Sequence, residues 1–327
     1  MRRAAFFHLI TLIQLGISRA DGQTLKFEKR IGVPWKKDQW GWMSFVAFSP
    51  DGKQVASDNL SLPNSHSLSI WSFPDGKVIR SLPIAPNVIS DDWKYFVDER
   101  GVGEMESGKL LITPVSSGYR GFVLSRDNHL VAESSPTKRR KPAIRIVELS
   151  TGRQVGAFGT NAVSGLAFSP DGETLATGYL DVVILRDVHT GERKSVLRGF
   201  GRYAGTLAFS PDGTILAAAT DVGELQLWSM RDFTRLHSIE VEGYPSDLKF
   251  SPDGKLVAVG TYGTGTAWLI DVTSGRIVDH QRVSDMGCGS VAFSPDGQFL
   301  ITPSTGGLIT WPYDRGGTIR VFRVERP

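Results

Sequence analysis

Histidine and aspartate are the side chains of this chain that could bind a metal ion or transfer a proton. Five histidines follow residue 20, and no two of them share a His-x-x-x-His spacing: His66, His129, His189, His237 and His280. A helix presents two zinc ligands on one face when they stand about four residues apart. The spacing therefore favours isolated surface or strand histidines over a zinc site.

The aspartates are more regular, because five of them recur within one five-residue string. Phe-Ser-Pro-Asp-Gly begins at Phe48, Phe168, Phe209, Phe250 and Phe293. Proline holds φ at about −65°, the Asp side chain accepts hydrogen bonds from nearby backbone N–H groups, and glycine accepts positive φ. These carboxylates are therefore predicted to hold tight turns rather than to act as acids, bases or metal ligands. The predicted turn residues are Asp51, Gly52, Asp171, Gly172, Asp212, Gly213, Asp253, Gly254, Asp296 and Gly297.

Other motifs of catalytic or binding sites are absent or incomplete. Cys288 is the single cysteine, so it can form neither an internal disulfide nor a cysteine-based metal site. We expect a buried small residue there, and the alternative is a reactive thiol with a base beside it. The glycine-rich stretches 199–201 and 263–265 precede no helix, which favours loops between strands over phosphate cradles. The sequence contains no Gly-x-Ser-x-Gly elbow and no Asp-x-Asp-x-Asp calcium loop.

The turns belong to a repeat of about 40 residues. Two weaker copies, which begin at Ile89 and Leu124, fill the gap between the first string and the second. From Phe48 onward the copies are 41, 35, 44, 41, 41 and 43 residues apart, and each turn joins two strand-like runs. A repeat of this length with four short strands is typical of a β-propeller blade. The sequence therefore predicts an all-β chain with seven blades, each a four-stranded antiparallel sheet.

A second family of turns, about 20 residues after the first, supports four strands per blade. These turns contain Gly76, Gly108, Gly152, Gly191 and Gly275, and each would join a third strand to a fourth. The last copy ends after its third strand, whereas residues 25–31 form an unpartnered strand before the first copy. We predict that this N-terminal strand becomes the outer strand of blade seven and closes the ring, which covers an otherwise free edge. Residues 21–327 then form one domain without a linker.

The first 20 residues have the layout of a secretory signal peptide. A basic start is followed by a mostly apolar run to Ile17, and Ser18 and Ala20 place small residues at a cleavage site before Asp21. A retained membrane anchor is the alternative, but a spanning helix needs about 20 apolar residues. We therefore expect residues 1–20 to be cleaved. The mature chain is then expected to have no transmembrane segment and to work outside the cytoplasm, as a secreted or periplasmic protein.

The expected mature chain carries no net charge. The full sequence has 37 Lys and Arg against 34 Asp and Glu, and residues 1–20 hold three arginines and no acidic residue, which leaves 34 of each. A nucleic-acid-binding protein is expected to show a basic excess, so no nucleic-acid partner is predicted. One basic run, Lys138, Arg139, Arg140 and Lys141, is interpreted either as a solvated loop tip or as a contact for an acidic partner or surface.

The turns and third strands resemble those of WD-repeat propellers over about residues 24–327. Trp71 and Trp228 stand where that family places its tryptophan, whereas Arg186 and Phe322 take this position in other copies. The family's Gly-His and Trp-Asp dipeptides are absent. We therefore expect the family's hydrogen-bond network of His, Ser or Thr, Asp and Trp to be incomplete in every blade. Packing of Val, Leu, Ile and Phe must then carry more of the stability.

The resemblance implies a function as well as a fold. WD-repeat propellers mostly lack catalysis and present their loops as docking surfaces. We therefore expect a monomeric, cofactor-free, non-catalytic scaffold that binds a protein or peptide. A propeller hydrolase or lyase, acting on a small metabolite or sugar in the central channel, is the alternative, because fold alone does not fix function.

Aromatic residues and one arginine in the predicted loops are the candidate partner-binding residues. In this fold the loops between blades and the loops that join strands two and three share one face. The candidates are Trp35 and Trp40 before blade one, Trp311 and Tyr313 in the long loop of blade seven, and Arg202 and Tyr203 before blade five. Tyr, Trp and Arg are enriched at binding hot spots, which favours a binding patch on this face. The alternative is that the four rings at the seam between blades seven and one only plug that seam.

Overall fold

Seven antiparallel sheets follow one another along the chain in the computed structural model, which describes residues 24–32, 41–61, 65–98, 100–113, 121–134, 144–159, 163–284, 287–304 and 317–325. Within these ranges all regular secondary structure is β-strand. The predicted all-β, seven-bladed propeller is confirmed. The expected signal peptide lies outside the described residues. No helix in the described part of the chain has the length and hydropathy that a membrane crossing requires.

Each blade is made of strands that are consecutive in sequence. The N-terminal strand is β1 (Thr24–Ile31). Blade one contains β2 (Gly41–Trp42), β3 (Val46–Phe48), β4 (Gln54–Ser61), β5 (Ser65–Ser72) and β6 (Val78–Leu82). Blade two contains β7 (Val88–Ile89), β8 (Tyr95–Asp98), β9 (Gly101–Glu104) and β10 (Leu110–Ile112). Blade three contains β11 (Gly121–Leu124), β12 (Leu130–Ser134), β13 (Ile144–Glu148) and β14 (Gln154–Phe158). In blade one, β2 and β3 both pair with β4, so the inner strand is in two parts.

The remaining blades repeat this plan. Blade four contains β15 (Gly165–Phe168), β16 (Thr174–Tyr179), β17 (Val182–Asp187) and β18 (Arg193–Arg198). Blade five contains β19 (Ala204–Phe209), β20 (Ile215–Thr220), β21 (Glu224–Ser229) and β22 (Arg235–Glu240). Blade six contains β23 (Tyr244–Phe250), β24 (Leu256–Tyr262), β25 (Thr266–Asp271) and β26 (Ile277–Arg282). Blade seven has three strands of its own, β27 (Ala292–Phe293), β28 (Phe299–Ser304) and β29 (Thr318–Glu325).

The turn between the first and second strands is built in the same way in all seven blades. A serine hydroxyl donates a hydrogen bond to the carboxylate of the Asp two residues later, at 2.5–2.7 Å. The backbone N–H two residues after the Asp donates to the same carboxylate at 2.9–3.2 Å. The residue that directly follows the Asp has a positive φ of 58–75°. The side chain of the aspartate therefore fixes the turn locally, as an Asx-type turn does.

The two weaker copies form turns of the same type without the Pro and Gly of the string. In blade two Asp92 accepts from Ser90, and in blade three Asp127 accepts from Ser125. Trp93 and Asn128 take the place of the glycine and hold its positive φ, 59° and 58°. The serine and the aspartate are thus enough to build the turn, although non-glycine residues adopt this conformation at a cost.

Both turns of a blade lie on one face of the ring, which we name the turn face. In each blade a backbone N–H at the end of the third strand donates to the carbonyl that follows the first turn, as Phe73 N donates to Lys53 O at 2.7 Å. The same bond recurs in the other six blades, for example from Val272 N to Lys255 O at 2.9 Å. The loops on the opposite face are therefore separate from the turns and from their serine–aspartate hydrogen bonds.

One cluster of buried hydrophobic side chains fills each of the seven gaps between neighbouring blades. Between blades one and two the cluster includes Ile70 and Phe96, and between blades seven and one it includes Val321 and Val55. Burial of each such side chain contributes about 1.5–3 kcal/mol. Because the gap between blades seven and one is filled like the others, packing holds a complete ring.

The N-terminal strand closes the ring as predicted. β1 pairs antiparallel with β29, from Thr24 opposite Glu325 to Ile31 opposite Ile319. Leu25 is buried in the cluster between blades six and seven, and Ile31 in the cluster between blades seven and one. The backbone N–H of Leu25 also donates to Asp279 of blade six at 2.7 Å. The strand therefore contacts both neighbours of blade seven.

Candidate partner-binding face

The loops between blades and the loops that join strands two and three are bonded to each other on the face opposite the turns. We name this the loop face. Ala204 N donates to Leu180 O and Asp221 N to Tyr203 O, both at 3.1 Å. These bonds link blades four and five and fix the loops of blade five to each other, so both loop types lie on one side of the ring, as expected.

The bonds continue from blade five into blade six. Val241 N donates to Gly223 O at 2.8 Å, and the Thr264 hydroxyl donates to Glu242 O at 3.0 Å. Tyr262 of blade six then pairs with Gly287, which leads into blade seven. The loop face of blades four to six is therefore a framework of loops whose backbones are bonded to one another.

Five large hydrophobic side chains stand exposed along this framework, and we name them the apolar arc. Their exposed fractions are 39–62%, and they are Leu180, Tyr203, Val222, Tyr244 and Tyr262. The other exposed large hydrophobic side chains among the described residues lie on outer strands or the turn face: Phe27, Val78, Ile79, Leu111, Phe233 and Leu236. The five side chains of the apolar arc come from one face of three adjacent blades, four to six, and exposed apolar patches often mark interaction surfaces.

The three tyrosines of the apolar arc have related positions. Tyr203 and Tyr244 stand 41 residues apart at the same repeat position: Tyr203 directly precedes β19, and Tyr244 is the first residue of β23. Tyr244 is directly opposite Tyr262 in the antiparallel pair of β23 and β24. Side chains in such a pair lie within reach of each other, at a Cβ separation of about 5 Å. Blade six therefore presents two tyrosines side by side.

Tyr262 lies close to the chain that leads into blade seven. A Cβ atom at Gly287 would be 2.0 Å from the Tyr262 ring, and a Cβ atom at Gly289 would be 3.0 Å from its hydroxyl. Partial burial raises the pKa of Tyr262, and the negative charges of Asp58 and Asp247 raise it further. The hydroxyl therefore stays protonated and can donate a hydrogen bond to a ligand.

The carboxylates near Tyr262 are engaged in holding strands. Asp58 accepts from Ser44 N at 2.8 Å, from the Ser44 hydroxyl at 2.6 Å and from Phe45 N at 2.9 Å. Asp247 accepts from Leu248 N at 2.8 Å, from the Ser290 hydroxyl at 2.9 Å and from Val291 N at 3.1 Å. Burial raises the pKa of Asp58. These bonds give both carboxylates a structural role in blades one, six and seven.

The remaining titratable groups are dispersed. His129, His189, His237 and His280 lie in four different blades, and His280 stacks on Trp268 with ring centroids 4.8 Å apart. Among the described residues, no group of three or more His, Cys, Asp or Glu is placed to hold a metal ion. Cys288 is fully buried, and burial raises the pKa of its thiol, so the structure matches the expected buried small residue.

The structure places the predicted partner-binding residues in two groups. Trp35, Trp40, Trp311 and Tyr313 lie outside the described residues, as does the basic run 138–141. Arg202 and Tyr203 are exposed on the loop face, and their binding role stays a prediction. Sequence reasoning missed the rest of the apolar arc, although one signal was available. Tyr244 stands at the same repeat position as Tyr203.

Comparison with known proteins agrees with this architecture. Residues 152–181, from the outer strand of blade three to the second strand of blade four, match the family model of the WD domain, G-beta repeat. WD repeat-containing protein 82 of Drosophila melanogaster is 28% identical over 179 residues, which cover 51% of this chain and 56% of the relative. Small ribosomal subunit protein RACK1 of Schizosaccharomyces pombe is 29% identical over 132 residues, 38% of this chain and 41% of the relative.

A third relative, WD repeat-containing protein SL1-17 of Schistosoma mansoni, is 29% identical over 168 residues, 49% of this chain and 54% of the relative. The matches span about half the length of these three relatives. The chain is therefore a seven-bladed β-propeller that contains a match to a WD-repeat model and is similar to WD-repeat proteins.

Proposed function

We propose that the chain is a non-catalytic scaffold that binds a protein or peptide partner on its loop face. The observation that carries the proposal is the apolar arc, a row of exposed tyrosine and aliphatic side chains across three adjacent blades. Tyrosine is enriched at binding hot spots because it offers a large apolar surface with a polar tip. The hydrogen bonds between these loops lower the cost of ordering the loop backbone on binding.

A hydrolase or lyase with its site in the central channel has less support. Such an enzyme would need carboxylates or other titratable groups free to meet a substrate. Asp58 and Asp247, whose charges act on Tyr262, already accept three hydrogen bonds each from serine hydroxyls and backbone N–H groups. These two carboxylates therefore stabilise the fold.

The site of action is proposed to be outside the cytoplasm, as a secreted or periplasmic protein. The basic start, the apolar run and the small residues at 18 and 20 support export and cleavage. Cell fractionation followed by N-terminal sequencing tests this proposal. The expected result is a chain in the extracytoplasmic fraction that starts at Asp21, and an uncleaved chain in the cytoplasm would contradict it.

A pair of matched variants tests the binding function. Tyr203→Ala with Tyr244→Ala removes two side chains of the apolar arc, and Val78→Ala with Leu236→Ala removes two equally exposed side chains from outer strands. Proteins captured by each variant from the extracytoplasmic fraction would be quantified by mass spectrometry. We expect the first variant to lose a partner that the second retains. Equal capture by both variants, with unchanged thermal unfolding, would exclude the apolar arc as the binding site.

A further inference from the structure

The charges beside the apolar arc define the chemistry of the partner, on the basis of the proposed function. We infer that the partner docks through an extended segment that combines large apolar side chains with lysine or arginine. The loops of the arc are residues 180–181, 199–203, 221–223, 241–243 and 263–265, and they contain four charged residues. Three are acidic, Asp181, Asp221 and Glu242, and one is basic, Arg202. The net charge of these loops is therefore −2.

Each of the three carboxylates stands beside a member of the apolar arc. Asp181 follows Leu180 and Asp221 precedes Val222, and Glu242 is two residues before Tyr244. All three acidic residues are exposed. A ligand that covers the apolar side chains therefore comes within reach of a carboxylate in each of the three blades.

These carboxylates also lack partners among the described residues of the chain, in contrast to acidic groups elsewhere. On the turn face Asp187 pairs with Lys194 at 3.3 Å, and on the outer surface Glu325 pairs with Lys26 at 3.5 Å. The described residues offer no comparable ion pair to Asp181, Asp221 or Glu242. Lysine or arginine side chains of a partner would form these ion pairs, and the same carboxylates would repel an acidic competitor.

The layout of the arc favours an extended segment. Along the chain an acidic residue accompanies each of Leu180, Val222 and Tyr244, and Tyr203 and Tyr244 repeat at equivalent positions of adjacent blades. An extended peptide presents successive side chains to opposite sides, so neighbouring residues can meet different kinds of pocket. A segment with interspersed apolar and basic residues therefore matches the row of groups that the loop face offers.

A peptide selection tests the inference with a defined probe. A displayed library of random 12-residue peptides would be selected on the wild-type protein and counter-selected on the Tyr203→Ala/Tyr244→Ala variant. We expect the enriched peptides to carry a net positive charge and at least two large apolar residues. Their affinity should fall about tenfold for the variant D181N/D221N/E242Q, since three exposed ion pairs of ordinary strength together change an equilibrium by about that factor. The matched control D75N/E106Q/E192Q, which removes three exposed carboxylates from the turn face, should bind as the wild type does.

The outcomes separate this inference from the proposed function. Enriched peptides that are neutral or acidic, or whose affinity is the same for both amide variants, would overturn the inference about charge while leaving the loop face as a binding site. A selection that enriches no peptide dependent on Tyr203 and Tyr244 would overturn both. Binding of the expected peptides should also weaken between low and high salt, because charges at the surface are screened.

Discussion

Asn128 in blade three and Gly172 in blade four occupy the same position of the strand one–two turn, and both have a positive φ, 58° and 75°. Glycine adopts this conformation freely, whereas a side chain makes it costly. The side-chain oxygen of Asn128 is also buried, and no described residue donates a hydrogen bond to it. The turn of blade three therefore keeps its shape at a cost that the turn of blade four avoids.

Asn128→Gly should therefore stabilise the protein. We expect the free energy of unfolding in urea to rise by about 0.5–1 kcal/mol. The matched change Gly172→Asn should lower it by a similar amount, because it places a side chain at the same backbone conformation. If Asn128→Gly did not raise the free energy of unfolding and Gly172→Asn did not lower it, the positive φ at this turn position would not be costly for asparagine.

Stability should also depend on pH through the turn aspartates. The hydroxyl bond from Ser210 lowers the pKa of Asp212 below its ordinary value of 3.8, and Ser169 does the same for Asp171. A carboxylate with a lower pKa in the folded chain stabilises it fully above the unfolded value, and this stability is lost as the pH falls through the folded value. We predict that the free energy of unfolding declines below about pH 4.

Ser210→Ala removes the main cause of the shift at Asp212 and should make that decline shallower. Urea unfolding at several pH values between neutral and acidic measures the slope. Ser81→Ala, which removes an exposed hydroxyl on outer strand β6, is the control and should leave the slope unchanged. Identical slopes for Ser210→Ala and the wild type would show that the serine does not set the pKa of Asp212.

Gly287→Ala should disturb the loop face through Tyr262. The added methyl group would lie 2.0 Å from the tyrosine ring, so ring or backbone must move. We expect the free energy of unfolding to fall by about 2 kcal/mol, as it does when a methyl group is forced into other packed positions. In the Tyr262→Ala background the same glycine change should cost clearly less, because the clash is gone. An equal loss of stability in both backgrounds would show that the Tyr262 ring is not the group with which the added methyl group clashes.

The buried residues of the N-terminal strand should stabilise the closed ring. Leu25 is 4% exposed between blades six and seven, so Leu25→Ala should destabilise the protein by about 2–4 kcal/mol. Hydrogen exchange in β29 should become faster, because β29 pairs with β1. Lys26→Ala, on the same strand with a 68% exposed side chain, should change stability by less than about 0.5 kcal/mol. Unchanged stability and exchange for Leu25→Ala would mean that the strand does not hold the ring.

The fold was predictable because its signal is local. Serine and aspartate build the first turn from residues within six positions of each other, so the turns can be read from sequence even at Trp93 and Asn128. The closure followed from a last repeat one strand short and a first strand without a partner. One turn of the second family was missed, because Phe233 with φ 58° takes the glycine position in blade five.

The candidate site was less predictable because exposure depends on distant neighbours. The pairing of Tyr244 with Tyr262 joins residues 18 positions apart, and the surroundings of Tyr262 are completed by Gly287 of the following blade. Sequence reasoning chose tryptophans by residue type and found Tyr203 by its loop position. It had no means to show that exposed apolar groups follow one another from Leu180 to Tyr262.

Site-specific photocross-linking tests the binding role of the loop face most directly. A photoreactive phenylalanine analogue would replace Tyr244, the most exposed member of the apolar arc at 62%, or Val78 on outer strand β6 at 56%. After illumination of cells or secreted fractions, we expect a defined cross-linked adduct from position 244 and none from position 78. Adducts from position 78 alone, or the same adducts from both positions, would contradict it.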